Sequence, residues 1–295
     1  MPYIRLLGAQ AAIGAAAIFA RYALSGAGPL AVSALRLGIA ALLTFALLRR
    51  FVHLSARREF AFALAGLALA VHFAAWIGSL LYTSVAISTL LVTTTPLWTE
   101  IYDVVRERRP PSRSYIVAVV LAFGGVAAIV AGRAAPPAPV PGFAVLGAGL
   151  ALLGSVAIGA YLLLVRDAGR EPDGSRLGTR QIVARTYGWS ALALAASAAF
   201  AHQGPPPLAD GAAWGGIVAM ALVSQLLGHT ALNAALRDFS PSTIALTTLL
   251  EPVVAALLAA WLFGETVAPP AIAGGIAVLA AVAIALRGEP GRASI

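Results

Sequence analysis

The sequence predicts an all-α polytopic membrane protein: ten transmembrane helices, built as two inverted five-helix repeats within one transmembrane domain, residues 1–295. Three observations carry this expectation. Of the residues, 60% are hydrophobic and only 11% charged, too little charge to cover a soluble surface. Apolar runs of about 20 residues recur along the whole chain, each long enough to cross about 30 Å of hydrocarbon. One unit also occurs twice. Setting Pro96 on Pro252, a shift of 156 residues, places Ser84 on Ser240 and brings LLVTTTPLWTE (Leu90–Glu100) over IALTTLLEPVVA (Ile244–Ala255).

The spans are expected at about 4–24, 30–50, 59–81, 84–105, 114–132, 142–165, 181–201, 212–236, 241–263 and 269–287. Repeat one is then 1–133 and repeat two 142–287. Short connections marked by Gly26–Pro29, Pro110–Pro111, Pro136–Pro141, Gly204–Pro207 and Pro269–Pro270 separate them. In the first span, Ala15–Ala17 imitates a signal-peptide cleavage site. Met1–Ile4 carries no charged side chain, however, and IGAAAIF (Ile13–Phe19) resembles LGSVAIG (Leu153–Gly159), so the stretch reads as a span. The fourth and ninth spans contain Pro96 and Pro252. A proline inside a helix removes a donor and frees a carbonyl, at a cost of about 3 kcal/mol. In a membrane that irregularity is tolerated only beside protein or a cavity, so both prolines are expected hinges. The fifth and tenth spans hold the small pairs Gly124–Gly125 and Gly274–Gly275.

The net charge of +8 comes from arginine alone, for the chain has no lysine. Its distribution argues against nucleic acid as a partner and for a lipid bilayer. With the N-terminus inside, sixteen arginines fall on the inner side and only Arg21 and Arg133 on the outer. Both termini are therefore expected in the cytoplasm of a bacterial inner membrane, with Pro136–Pro141 outside. There are no cysteines, which excludes disulfides and thiolate metal sites. Five spans per repeat, an odd number, insert the second copy upside down. Many secondary transporters are built this way, with the substrate site near the midplane between the repeats.

Polar residues inside spans are costly and face the bundle interior or a wet cavity. Their spacing gives the face. His72, Trp76, Ser79 and Thr83 form one stripe on the third span, and Gln225, His229 and Asn233 another on the eighth. Thr94, Trp98 and Tyr102, with Thr95 alongside, mark the fourth. Gln10, Gly14, Ala17 and Arg21 line the first, Tyr161 with Gly154 and Ser155 the sixth, and Thr243, Thr247 and Glu251 the ninth. Any one hydroxyl reads as packing, since Ser and Thr bond their own helix. The set together reads as a substrate cavity with aromatic walls and a few orienting polar groups, suited to a small zwitterion. Glu251 has two readings: carrier of a coupling proton, or, the favoured one, a partner for donors freed near Pro252. Arg36 and Arg185 occupy corresponding places in the two repeats. They read as snorkelling or ion-paired residues rather than ligand contacts.

Leu35–Arg36–Leu37, the Pro96 segment, Leu250–Glu251–Pro252 and Leu262–Phe263–Gly264–Glu265 stand in an order that resembles the drug/metabolite transporter superfamily, in particular its EamA-type ten-helix exporters. The last two match that family's EP…LGE ending, whereas Arg106–Glu107–Arg108 replaces the usual Gly–Glu pair in the first copy. The resemblance covers about Leu6 to Arg287. It implies a secondary transporter that exports small metabolites, amino acids above all, by alternating access around a central cavity, as a monomer or homodimer.

No cofactor, metal or enzymatic activity is expected: there is no P-loop and no HExxH motif, and Gly188–Trp189–Ser190–Ala191 lacks the closing glycine of a membrane serine protease motif. A passive channel or a partner-dependent membrane subunit is the alternative.

Overall fold

The computed structural model describes residues 2–48, 50–108, 110–131, 143–171, 173–263 and 268–288. The expected Pro136–Pro141 loop, Arg49, Arg109, Arg133, Gly264–Glu265 and Arg292 lie outside them.

The described chain is helical, with no β-strand beyond an isolated bridge between Arg170 and Arg176. Its helices are α1 (Pro2–Gly14), α2 (Ala16–Ala23), α3 (Pro29–Ala46), α4 (Ala56–Ser79), α5 (Val85–Val92), α6 (Thr95–Glu107) and α7 (Arg113–Ala131). Next come α8 (Ala144–Ala168), α9 (Thr179–Phe200) and α10 (Gly211–Ala219), a π-helical stretch Met220–His229, and α11 (Thr230–Ala235). The last are α12 (Pro241–Thr247), a 3₁₀ turn Thr248–Leu250, α13 (Glu251–Phe263) and α14 (Pro269–Gly288).

Among the described residues, eight helical runs are long and apolar enough to cross a membrane, not ten. The expected fourth span is interrupted between α5 and α6, so neither piece reaches that length. The expected seventh, α9, opens on the polar run Thr179, Arg180 and Gln181 and carries Arg185 further in.

The packing repeats itself across the two halves. α3 packs on α9 and α7 on α14, while α4 packs on α8 as α10 and the π stretch pack on α1 and α2. Glycine makes the tightest of these contacts possible. A Cβ on Gly125 would lie 2.6 Å from the carbonyl oxygen of Gly274, and one on Gly274 would collide with that of Gly125. The α7 and α14 backbones therefore touch, as small residues allow between membrane helices. Likewise, a Cβ on Gly14 would sit 2.7 Å from Val254 Cβ, so α1 lies directly against α13. A large apolar core, with Leu37, Leu69, Phe73 and Tyr187, joins α1–α4 to α8–α11. A smaller one, with Val126, Leu249 and Val278, joins α7, α14 and the segment around the 3₁₀ turn.

Candidate functional site

The doubled sequence unit folds into two broken helices of similar design. Each begins on a serine cap: Ser84 accepts from Ile87 N–H at 3.2 Å and Ser240 from Thr243 N–H at 3.1 Å. Each first half then ends where threonines take over its last carbonyls. Thr93 donates to Thr89 O at 2.9 Å, Thr94 to Leu91 O at 2.7 Å and Thr95 to Val92 O at 3.0 Å. In the second copy Thr247 donates to Ile244 O and Thr248 to Ala245 O, both at 2.7 Å. Thr89 O, Leu91 O and Ala245 O also accept backbone N–H groups, from Thr93, Thr94 and Thr248, so the hydroxyls add a second donor where the helical ladder ends. The prolines are not at the breaks. Pro96 and Pro252 are the second residues of α6 and α13. In a first turn their missing N–H would have had no helical partner anyway.

Both breaks open on one cavity. Its wall takes Val92, Thr93 and Thr95 from the first and Thr248 and Glu251 from the second, and adds residues from α1–α4, α8, α11 and the π stretch. The volume is about 40 Å³, room for a few waters at most. Seven of the twelve expected site residues line it: His72, Trp76, Thr95, Tyr161, His229, Asn233 and Glu251. His72 donates from Nδ1 to Gly154 O at 2.8 Å. Its ring stacks on Trp76 at 6.3 Å, and Phe73 meets His229 edge-on at 5.3 Å. Tyr161 Oη donates to Asn233 Oδ1 at 2.9 Å, and Asn233 Nδ2 to His229 O at 2.8 Å. Glu251 was expected to bond donors near Pro252. Its carboxylate takes no hydrogen bond and makes no ion pair among the described residues.

The other five expected residues lie outside the lining. Gln10 donates to Thr247 Oγ1 at 2.8 Å, tying α1 to the second break. Ser79 donates to Trp76 O, and its oxygen accepts from the Ser88 hydroxyl. Thr94 bridges Leu91 O to Ser155 Oγ, and Trp98 Nε1 donates to Thr94 Oγ1 at 3.3 Å. Gln225 points to Arg36 instead. It belongs to the π stretch, whose wider turn breaks the α-helical spacing that put it in line with His229 and Asn233.

The two arginines that occupy corresponding places differ. Arg185 is ion-paired to Glu59 at 2.9 Å and also bonds Gln181 and the Val52 carbonyl. Arg36 is fully buried, lines the cavity and has no carboxylate partner among the described residues. It donates to Gln225 Oε1 at 2.7 Å and lies over the Phe73 ring at 4.0 Å, while its Nε and Nη1 are left without acceptors. The reading of both as snorkelling or paired residues therefore holds for Arg185 only. The signal in the sequence is the partner: an acid, Glu59, stands in the first turn of one arginine's contact helix, and an amide, Gln225, stands on the other's. Phe73, Thr93 and Thr248 also line the cavity. All three adjoin stripes that were read too narrowly.

A cavity with largely apolar walls and a few polar groups, set between two broken helices in an apolar helical bundle, is the arrangement of a multi-pass membrane transporter for small molecules. The EamA-like transporter family matches the chain twice, over residues 1–131 and 145–287, and the chain belongs to that family. A solved crystal structure of another protein superposes with a TM-score of 0.76 at 14% identity, covering 98% of this chain and 99% of that one, which supports the fold alone. No functionally curated protein matches the sequence.

Proposed function

We propose that the protein is a secondary transporter that exports amino acids, those with apolar or aromatic side chains first, across a bacterial inner membrane by alternating access. The two family matches are read as inverted five-helix repeats. On that reading the α5–α6 pair and α9 complete ten crossings, and both termini are cytoplasmic. The observation that carries the proposal is the cavity itself. Its wall comes from both repeats, and both broken helices open on it. Discontinuous helices at a repeat interface are where transporters of this construction hold their substrates. At about 40 Å³ the cavity is too small for an amino acid, which fits a closed form that widens toward one side at a time. Glu251, facing the cavity without a partner, is the residue that would carry a proton in exchange.

The test is transport by purified protein in liposomes loaded with single amino acids. Saturable, counterflow-stimulated exchange of an apolar or aromatic amino acid is expected. Non-saturable flux of every small solute would indicate a passive channel instead, and no flux at all would indicate a subunit that needs a partner.

A further inference from the structure

We propose that Arg36 is the carboxylate anchor of the central cavity, so that the ligand must carry a carboxylate on an apolar or aromatic body. The inference rests on the exporter reading for its setting and on Arg36 for its chemistry.

A guanidinium in a dry interior needs acceptors in its plane as well as a counter-charge. Among the described residues Arg36 has one acceptor, Gln225 Oε1, and no counter-charge. Stacking over Phe73 serves the face of the cation and leaves the in-plane N–H groups unpaired. Nε and Nη1 are both buried without a partner, and so is Trp76 Nε1 on the same cavity wall. A buried donor left in this condition costs about 1–3 kcal/mol, more when charged.

The molecule contains its own control. α9 packs on α4 as α3 packs on the π stretch. At the first of these contacts Arg185 receives a carboxylate, Glu59, from α4. At the second Arg36 receives only the amide of Gln225. Arg185 and Glu59 also line a hollow, with Phe45, Phe51 and Trp189 in its wall, but there the guanidinium is already paired with a carboxylate, whereas at Arg36 the charge that meets the central cavity is not. A ligand carboxylate would complete for Arg36 what Glu59 completes for Arg185, and the histidine and aromatic rings around it would bury the ligand's body.

The experiment compares ligands that differ in one group, on protein in lipid nanodiscs, read by Trp fluorescence and thermal shift. Phenylalanine and 3-phenylpropionate both carry the carboxylate; phenylalaninamide and phenethylamine lack it. The two acids are expected to bind, and the two cations to bind about thirty-fold more weakly or worse. Gln225→Glu gives Arg36 an internal carboxylate. It should fold with a melting temperature at or above the parent's and lose acid binding by about thirty-fold or more. Arg36→Gln should lose it as well. Equal binding of phenylalanine and its amide, no binding of either acid, or parent-like acid binding by a folded Gln225→Glu variant would each overturn the anchor. Should Gln225→Glu or Arg36→Gln not fold, the ligand comparison on the parent decides alone. Acid binding without transport in liposomes would leave the anchor standing and remove the exporter reading.

Discussion

Glu251 and the Tyr161–Asn233 pair are where the cavity's chemistry can be separated from its packing. If Glu251 carries the coupling proton, Glu251→Gln keeps the shape and removes the charge. The variant should reach the membrane at parent levels and fail to use a pH gradient that drives parent transport. Gradient-driven transport at the parent rate by Glu251→Gln would remove the residue from coupling. The Tyr161–Asn233 bond is buried, so Tyr161→Phe leaves Asn233 Oδ1 without its donor, at about 1–3 kcal/mol. Asn233→Leu removes the acceptor. In a double-mutant cycle on unfolding in detergent, the double variant should lose less than the sum of the two; strict additivity would mean the bond contributes nothing. Where the spacing is that of an α-helix, as from His72 to Trp76 in α4 and from His229 through α11 to Asn233, such residues are legible in the sequence. Gln225 was not, because a π-helical ladder leaves no mark in residue type. Arg36 was visible as a buried charge, but its lack of a counter-charge depends on which helices meet.

The broken helices make the prediction that belongs to elements. Thr94→Val keeps the volume and deletes a hydroxyl that serves both Leu91 O and Ser155 Oγ. It should lower unfolding stability by about 1–3 kcal/mol, measured in detergent. A matched Thr89→Val change, on a hydroxyl that is not at the break, should cost less; equal losses would mean the break has no special need of Thr94. The apolar runs and the doubled proline motif announced these elements correctly. Each break lies just before its proline, at Thr93–Thr94 and at Thr248–Leu250, where threonine hydroxyls bond the last carbonyls of the first half. The interrupted fourth span and the polar opening of α9 follow from the same residues, so length and hydropathy single out eight runs where the repeat pattern points to ten.

At the scale of the whole molecule, orientation is the open prediction. The chain has no cysteine, so single cysteines report without background. Gly204→Cys should react with an impermeant maleimide added outside cells, and Ser175→Cys only after the membrane is opened. The reverse pattern would turn the protein over. The two-fold repeat was readable from the Pro96–Pro252 alignment, whereas the way the halves meet was not, since contacts such as Gly125 with Gly274 join residues far apart in sequence.

The threonine-served breaks bear on how fast such a molecule can change shape. The hydroxyls belong to the same segment as the carbonyls they bond, so if one half-helix bends against the other, as the alternating-access proposal requires, these bonds can travel with it. On that proposal, resistance falls on contacts between elements. Chief among them is the junction where Arg166 meets Asp103 at 2.9 Å, Ser242 joins it at 3.2 Å, and Arg58 grips Glu171 at 2.8 Å. The turnover rate of this protein would then be set at its charged rim, by how readily those ions trade one another for water, rather than at its bending centre.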